Sequence, residues 1–202
     1  MDLYSLMKKC VEADYSETDS GISYAAERSG DSLCIFFEAS RGQSDWKINL
    51  DFPARAYRSG GKTWFVHRGF AAAWKSVKAV IEDKIFDPEI KRITSVGYSH
   101  GAAIALLCHE YIYYNRPDLR DNILGYGFGC PRVIWGIIDS ELKKRWENFT
   151  VIRNIDDVVT HLPPKQIGYT HVGKMLEIGE RGKYSSRDAH KAENILRELK
   201  EL

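Results

Sequence analysis

The sequence predicts an α/β fold in one domain, residues 1–202, with a mostly parallel central sheet flanked by helices. Three observations carry this. Short apolar runs of strand length recur along the chain, segments with helical spacing separate them, and a run of small residues directly follows one of the strands. No internal repeat, low-complexity tract or linker divides the chain.

The first strand is Leu33-Cys34-Ile35-Phe36-Phe37, apolar at successive positions as a strand covered on both faces should be, after the turn-like Arg28-Ser29-Gly30-Asp31. Phe70, Trp74, Val77, Ile81 and Ile85 then recur at steps of three and four, which predicts a helix after the breaker Gly69. His67 and Arg68, a basic pair before that glycine, read as a solvated helix entry. Ile93 to Tyr98 is the next strand. It runs into Gly101-Ala102-Ala103-Ile104-Ala105, expected to be helical until near Asn115-Arg116-Pro117. Asn122 to Gly129 and Phe149 to Ile155 are further strands, with a helix between them placing Ile138, Leu142 and Trp146 on one face. A last helix begins near Asp188-Ala189-His190 and carries Ala192, Ile195, Leu199 and Leu202 on one side, with Glu193 and Arg197 as an i,i+4 pair.

Composition excludes several function classes. With 29 basic and 28 acidic side chains the formal charge is +1, so no net field gathers nucleic acid or coats an anionic membrane. The longest unbroken apolar run, Ala102 to Cys108, is far short of the ~20 residues of a membrane-spanning helix, and no transmembrane segment is expected. Met1 to Cys10 lacks the basic, apolar and small-residue zones of a signal peptide, from which a cytoplasmic location is expected. Cys10, Cys34, Cys108 and Cys130 lack metal-site spacing and read as buried thiols; no metal or cofactor is expected.

Gly97-Tyr98-Ser99-His100-Gly101 has the G-x-S-x-G form of a nucleophile elbow and sits between a predicted strand and a predicted helix, as that motif requires. The nucleophile occupies a strained turn, so the flanking Gly97 and Gly101 leave room for strand and helix to approach. A serine hydroxyl attacks only when a histidine takes its proton and a carboxylate orients that histidine. In this motif the partners follow in the order Ser, Asp, His. Asp156 and Asp157 stand at a strand end, and His109, His161, His171 and His190 lie downstream. His109, about ten residues down the helix from Ser99, cannot reach back. Position favours His190, past the polar loop Arg181 to Arg187, only slightly over His161 and His171.

The motifs together resemble the class 3 lipase family. Val96 to Gly101 resembles its V-T-G-H-S-L-G segment, Phe128-Gly129-Cys130-Pro131-Arg132-Val133 its F-G-x-P-R-V, and Asn154 to Pro164 its N-x-x-D-x-V-P-x-L-P-P. Gly168 to Gly173 is similar to the Y-x-H-x-G strand that follows, Val66-His67-Arg68-Gly69-Phe70 to V-H-x-G-F, and Asp188-Ala189-His190 to the late D-H segment. Phe36 to Ser40, Asp45-Trp46 and Asn49-Leu50 resemble F-R-G-T and its D-W-x-x-N-L continuation.

The resemblance implies an α/β-hydrolase fold and a serine carboxylic ester hydrolase, a lipase, esterase or phospholipase acting on a lipid or small-molecule ester. It assigns Ser99 as nucleophile, Asp157 as orienting carboxylate and His190 as base, with Ser40 and the His100 amide as oxyanion donors. Glu38, Ala39, Tyr98 and His100 depart from the family's usual Arg, Gly, His and Leu. In the fungal members the segment matching Arg41 to Leu50 is a helical lid. Here Trp46, Ile48 and Leu50 alternate with Lys47 and Asn49, which suits a half-buried strand and an open site without a long lid. Two other readings use the same fold: a binding domain without catalysis, which a serine-reactive probe would leave unlabelled, and a thioesterase or peptidase, which turnover on thioester or amide would reveal.

Overall fold

The computed structural model describes residues 2–38 and 53–202. Asp2 accepts the Ser5 amide at 2.8 Å and so caps α1 (Leu3–Glu12), whose Leu6, Met7 and Cys10 face inward. A short β1 (Ser16–Glu17) leads to the hairpin of β2 (Ser23–Ser29) and β3 (Ser32–Phe37), and a second hairpin follows, β4 (Ala54–Ser59) and β5 (Lys62–His67). Then come α2 (Arg68–Ile85), β6 (Arg92–Tyr98), α3 (His100–Asn115), β7 (Ile123–Phe128), β8 (Ile134–Trp135), α4 (Ser140–Lys144) and β9 (Phe149–Asn154). The chain ends with β10 (Tyr169–Thr170), β11 (Lys174–Ile178) and α5 (Ala192–Lys200).

Among the described residues, seven strands form the main sheet in the order β1-β2-β3-β6-β7-β9-β11. From β3 to β11 each neighbour is parallel, and only β1 and β2 are antiparallel additions at one edge. Strand alternation divides the side chains between two cores. Leu33, Ile35, Phe37, Ile93, Ile123, Phe149 and Val151 pack beneath α2 and α3, whereas Phe36, Val96, Phe128, Ile152 and Ile178 meet α1 and α5 on the other face. Helix α3 is buried at every position from His100 to Ile112, which is why its sequence is apolar all round rather than along one stripe. Inside this packing Arg145 pairs with the fully buried Glu110 at 2.5 Å, and the hydroxyl of Ser59 donates to the same carboxylate at 3.0 Å.

Beside the mostly parallel central sheet lies a second, antiparallel one, β10-β8-β5-β4, of which the sequence motifs marked only the strand within Gly168 to Gly173. Three expectations need correction. The helix between β7 and β9 is only the five residues of α4; Ile138 and Trp146 are buried from the chain on either side of it. His67 is fully buried rather than solvated: its ring caps α2 by accepting the Phe70 amide at 3.4 Å and stacks on the Phe70 ring at 4.1 Å. At the C-terminus, Asp188–His190 forms a separate 3-10 turn before α5, and Leu202 lies beyond that helix, 76% exposed. Among the described residues no helix is long and apolar enough to cross a membrane.

Candidate active site

Ser99 stands at the turn from β6 to α3 with φ 55° and ψ −120°, and is the only non-glycine residue with positive φ among the described residues. Such a conformation costs an L-residue roughly 1–3 kcal/mol and persists only where packing enforces it. The two glycines make it possible by close approach. A Cβ on Gly97 would lie 2.1 Å from the Gly101 carbonyl oxygen, and one on Gly101 would lie 2.1 Å from that of Phe37. Both contacts are with backbone, so no rotamer change could relieve them. The Ser99 amide donates to the Phe128 carbonyl at 2.9 Å, tying the turn to β7.

Three side chains from distant elements then meet in line. His190 Nε2 lies 2.8 Å from Ser99 Oγ, and His190 Nδ1 lies 2.8 Å from Asp157 Oδ2. An ionised carboxylate only accepts, so Nδ1 carries the proton and Nε2 is left to accept from the Ser99 hydroxyl. Asp157 is wholly buried after β9, and its second oxygen accepts the Val159 amide at 2.8 Å. The hydroxyl of Thr160 donates to the Asp157 carbonyl at 2.8 Å, closing the turn that carries the carboxylate.

The other candidates are elsewhere. His171 Nε2 meets the Thr160 carbonyl at 2.8 Å, and burial pushes this ring's pKa down to about 4. His161 sits on an exposed turn, its pKa lowered by partial burial and then by Arg153 and Arg132. His109 is buried within α3, its pKa pushed down to about 3 by desolvation. Asp156 Oδ2 accepts the Gly182 amide at 2.6 Å, and Asp188 pairs with Lys191 at 2.8 Å on the surface. His100, the first residue of α3, is buried with its ring 5.5 Å from that of Phe70. Its amide lies at the positive end of that helix. Ser40 and the segment expected as a strand in place of a lid, Arg41 to Leu50, lie outside the described residues. No group of three or more potential metal ligands occurs among the described residues.

The model of the family Lipase (class 3) matches residues 34–167, two thirds of the chain, and its matched span includes the elbow and Asp157. The chain belongs to the class 3 lipase family. A lipase of Rhizomucor miehei is 28% identical over 163 residues, which cover 77% of this chain. The chain spans 44% of the length of that relative. A solved triacylglycerol lipase, described as having a serine protease triad as its catalytic centre, superposes with a TM-score of 0.67 at 25% identity, covering 83% of this chain and 66% of that one. The lipase of Rhizopus microsporus var. chinensis gives a TM-score of 0.70 at 21% identity, covering 93% of this chain and 71% of its own. The chain thus has the α/β-hydrolase fold of the fungal lipases.

Two residues at this class 3 lipase site carry more than their motifs suggested. Gly129, with φ 58°, lies beneath the histidine: a Cβ there would fall 2.8 Å from His190 Cε1 and 3.1 Å from Asp157 Oδ2. The only sequence signal for it was its place in the Phe128 to Val133 stretch. Tyr98 donates its hydroxyl to the His190 carbonyl at 2.6 Å, a contact across 92 positions that no local pattern could reveal.

Proposed function

We propose that the chain is a serine carboxylic ester hydrolase working through an acyl-enzyme, with Ser99 as nucleophile, His190 as general base and acid, and Asp157 as its orienter. The observation that carries this is the continuous hydrogen-bonded line from Asp157 through His190 to Ser99, both links at 2.8 Å. The Ser99 hydroxyl attacks the ester carbonyl while its proton passes to His190 Nε2, and the buried Asp157 stabilises the imidazolium that forms. The His100 amide, with Ser40 as the second donor, stabilises the oxyanion. His190 then returns its proton to the departing alcohol, and a water activated by the same nitrogen releases the carboxylate. The substrate class is a lipid or short-chain ester, consistent with the lipases the chain resembles.

Turnover of p-nitrophenyl butyrate by the purified chain tests this, with the corresponding thioester and anilide in parallel. A burst of p-nitrophenol near one equivalent, followed by steady turnover lost in Ser99→Ala, is the expected result. Equal turnover by Ser99→Ala refutes it.

A further inference from the structure

Serine hydrolases need the base to hold its place through steps in which its bond to the serine is absent. His190 sits on a 3-10 turn, Asp188–His190, between β11 and α5 and preceded by polar, exposed chain. Within this turn the backbone is held by bonds of short sequence span: Ala189 N to Ser185 O at 2.9 Å, Lys191 N to Asp188 O at 3.0 Å, and Asn194 Nδ2 to Asp188 O at 2.9 Å. None of these ties the turn to the strand that carries Ser99.

Tyr98 does. It is the last residue of β6 and directly precedes the nucleophile, with its side chain on the α1/α5 face of the sheet, opposite α3. Its hydroxyl donates to the His190 carbonyl at 2.6 Å, and its ring lies 5.3 Å from the imidazole, tilted by 32°. Burial, and then the nearby Asp157 carboxylate, push the phenol above its ordinary pKa, while the Ala192 amide pulls it down. Burial and the carboxylate both favour the neutral phenol, the form that carries the donor hydrogen.

We infer that Tyr98 is a positioning residue that fixes the His190 backbone and ring relative to Ser99, coupling base and nucleophile through one strand end. It takes no proton from the reaction and touches no reacting atom. When Ser99 is acylated and its bond to Nε2 is gone, the Tyr98 hydroxyl and the Asp157 carboxylate are what keep the imidazole aimed at the ester carbon. Misplacing a catalytic group by about 1 Å can cost a hundredfold, so loss of the hydroxyl should act on kcat and leave ground-state binding alone.

This rests on the ester-hydrolase reading, and the test separates the two. The variant Tyr98→Phe keeps the ring and removes only the donor. Amide hydrogen exchange at residues 188–191 requires no turnover; it should speed up at least tenfold in Tyr98→Phe, whereas Tyr57→Phe, which removes a hydroxyl from the second sheet, should leave it unchanged. On p-nitrophenyl butyrate, kcat of Tyr98→Phe should fall about tenfold to a hundredfold at unchanged KM. Genetically encoded 4-aminophenylalanine at position 98, which restores a donor, should recover most of that loss. Exchange and kcat both at wild-type values in folded Tyr98→Phe would overturn the inference, as would a kcat loss not recovered by the amino side chain. A wild-type protein inactive on every ester would instead count against the ester-hydrolase reading, and the exchange result would still decide whether Tyr98 holds the turn.

Discussion

Replacing Gly129 with alanine should damage catalysis far more than folding. The residue holds φ 58°, where an L side chain costs roughly 1–2 kcal/mol. Its new Cβ would meet His190 Cε1 at 2.8 Å and Nδ1 at 2.9 Å, whereas ordinary contact begins at 3.4 Å. The ring must therefore retreat by about 0.6 Å, the difference of those two limits (3.4 and 2.8 Å). A shift of that size lengthens at least one of the two 2.8 Å bonds toward 3.4 Å, outside the range of a strong hydrogen bond. We expect kcat to fall about a hundredfold with KM little changed, and the melting temperature to drop by roughly 2–8 °C. Gly30→Ala is the matched control, since Gly30 has φ 60° with nothing within 4 Å of where its new methyl would stand. It should lose similar stability and no activity. Steady-state kinetics on p-nitrophenyl butyrate and thermal melts of both variants decide the matter. Wild-type kcat in Gly129→Ala would refute the placement of His190 against this glycine.

Asp157→Asn should keep the fold yet lower kcat about 10⁴-fold, because the amide no longer enforces the histidine tautomer; a loss under tenfold would speak against its orienting role. Arg145→Met should destabilise the protein by about 3–5 kcal/mol in urea unfolding, since it strands the buried Glu110, whose carboxyl burial already pushes up in pKa. A change below about 1 kcal/mol there would mean that Glu110 is readily neutralised or solvated. Burial holds the pKa of His171 near 4 and of His109 near 3, against 6.5 in an unfolded chain. Their contribution is thus whole above pH 6.5 and is lost as pH falls through 4 and then 3. Urea midpoints should drop between pH 6.5 and 4, less steeply in His171→Gln, and an identical pH slope in that variant would contradict the assignment.

The parts of the fold that the sequence made legible are those whose burial is regular, continuous along the central strands and periodic along the helix. Leu33 to Phe37, the Phe70 to Ile85 stripe and the Ile93 to Tyr98 strand are each buried by neighbours on known faces, so their patterns survive into β3, α2 and β6. The β4–β5 hairpin left no such pattern: Arg55, Ala56 and Arg58 are exposed on an edge strand, where side chains answer to solvent and not to a core. Ile138, Leu142 and Trp146 have helical spacing because the core selects them, Trp146 donating its ring N–H to the Leu106 carbonyl at 2.9 Å, yet only five residues there are helical. His67 misled for a related reason. The charged Arg68 beside it suggests solvent, while its ring instead caps α2 and stacks on Phe70 within the core.

At the site, the elbow was legible because its glycines fall at fixed positions around Ser99, Gly97 making room for the Gly101 carbonyl within the turn itself and Gly101 for the Phe37 carbonyl of β3. The choice among His161, His171 and His190 was not, since it depends on how a turn 91 residues away folds back onto Ser99. The family motif supplied that choice. The roles of Gly129 and Tyr98 depend on the same long-range meeting, and so no reading of spacing could reach them.

Catalysis as derived from this site stands or falls on whether Ser99 is a hydroxyl activated by His190. Treatment of the native protein with a fluorophosphonate probe, followed by peptide mass spectrometry, tests it most directly. One equivalent of label on Ser99 is expected, lost in Ser99→Ala and slowed at least a hundredfold in His190→Ala. Absence of label on the folded wild-type protein, or labelling of another residue at the same rate in Ser99→Ala, would contradict it.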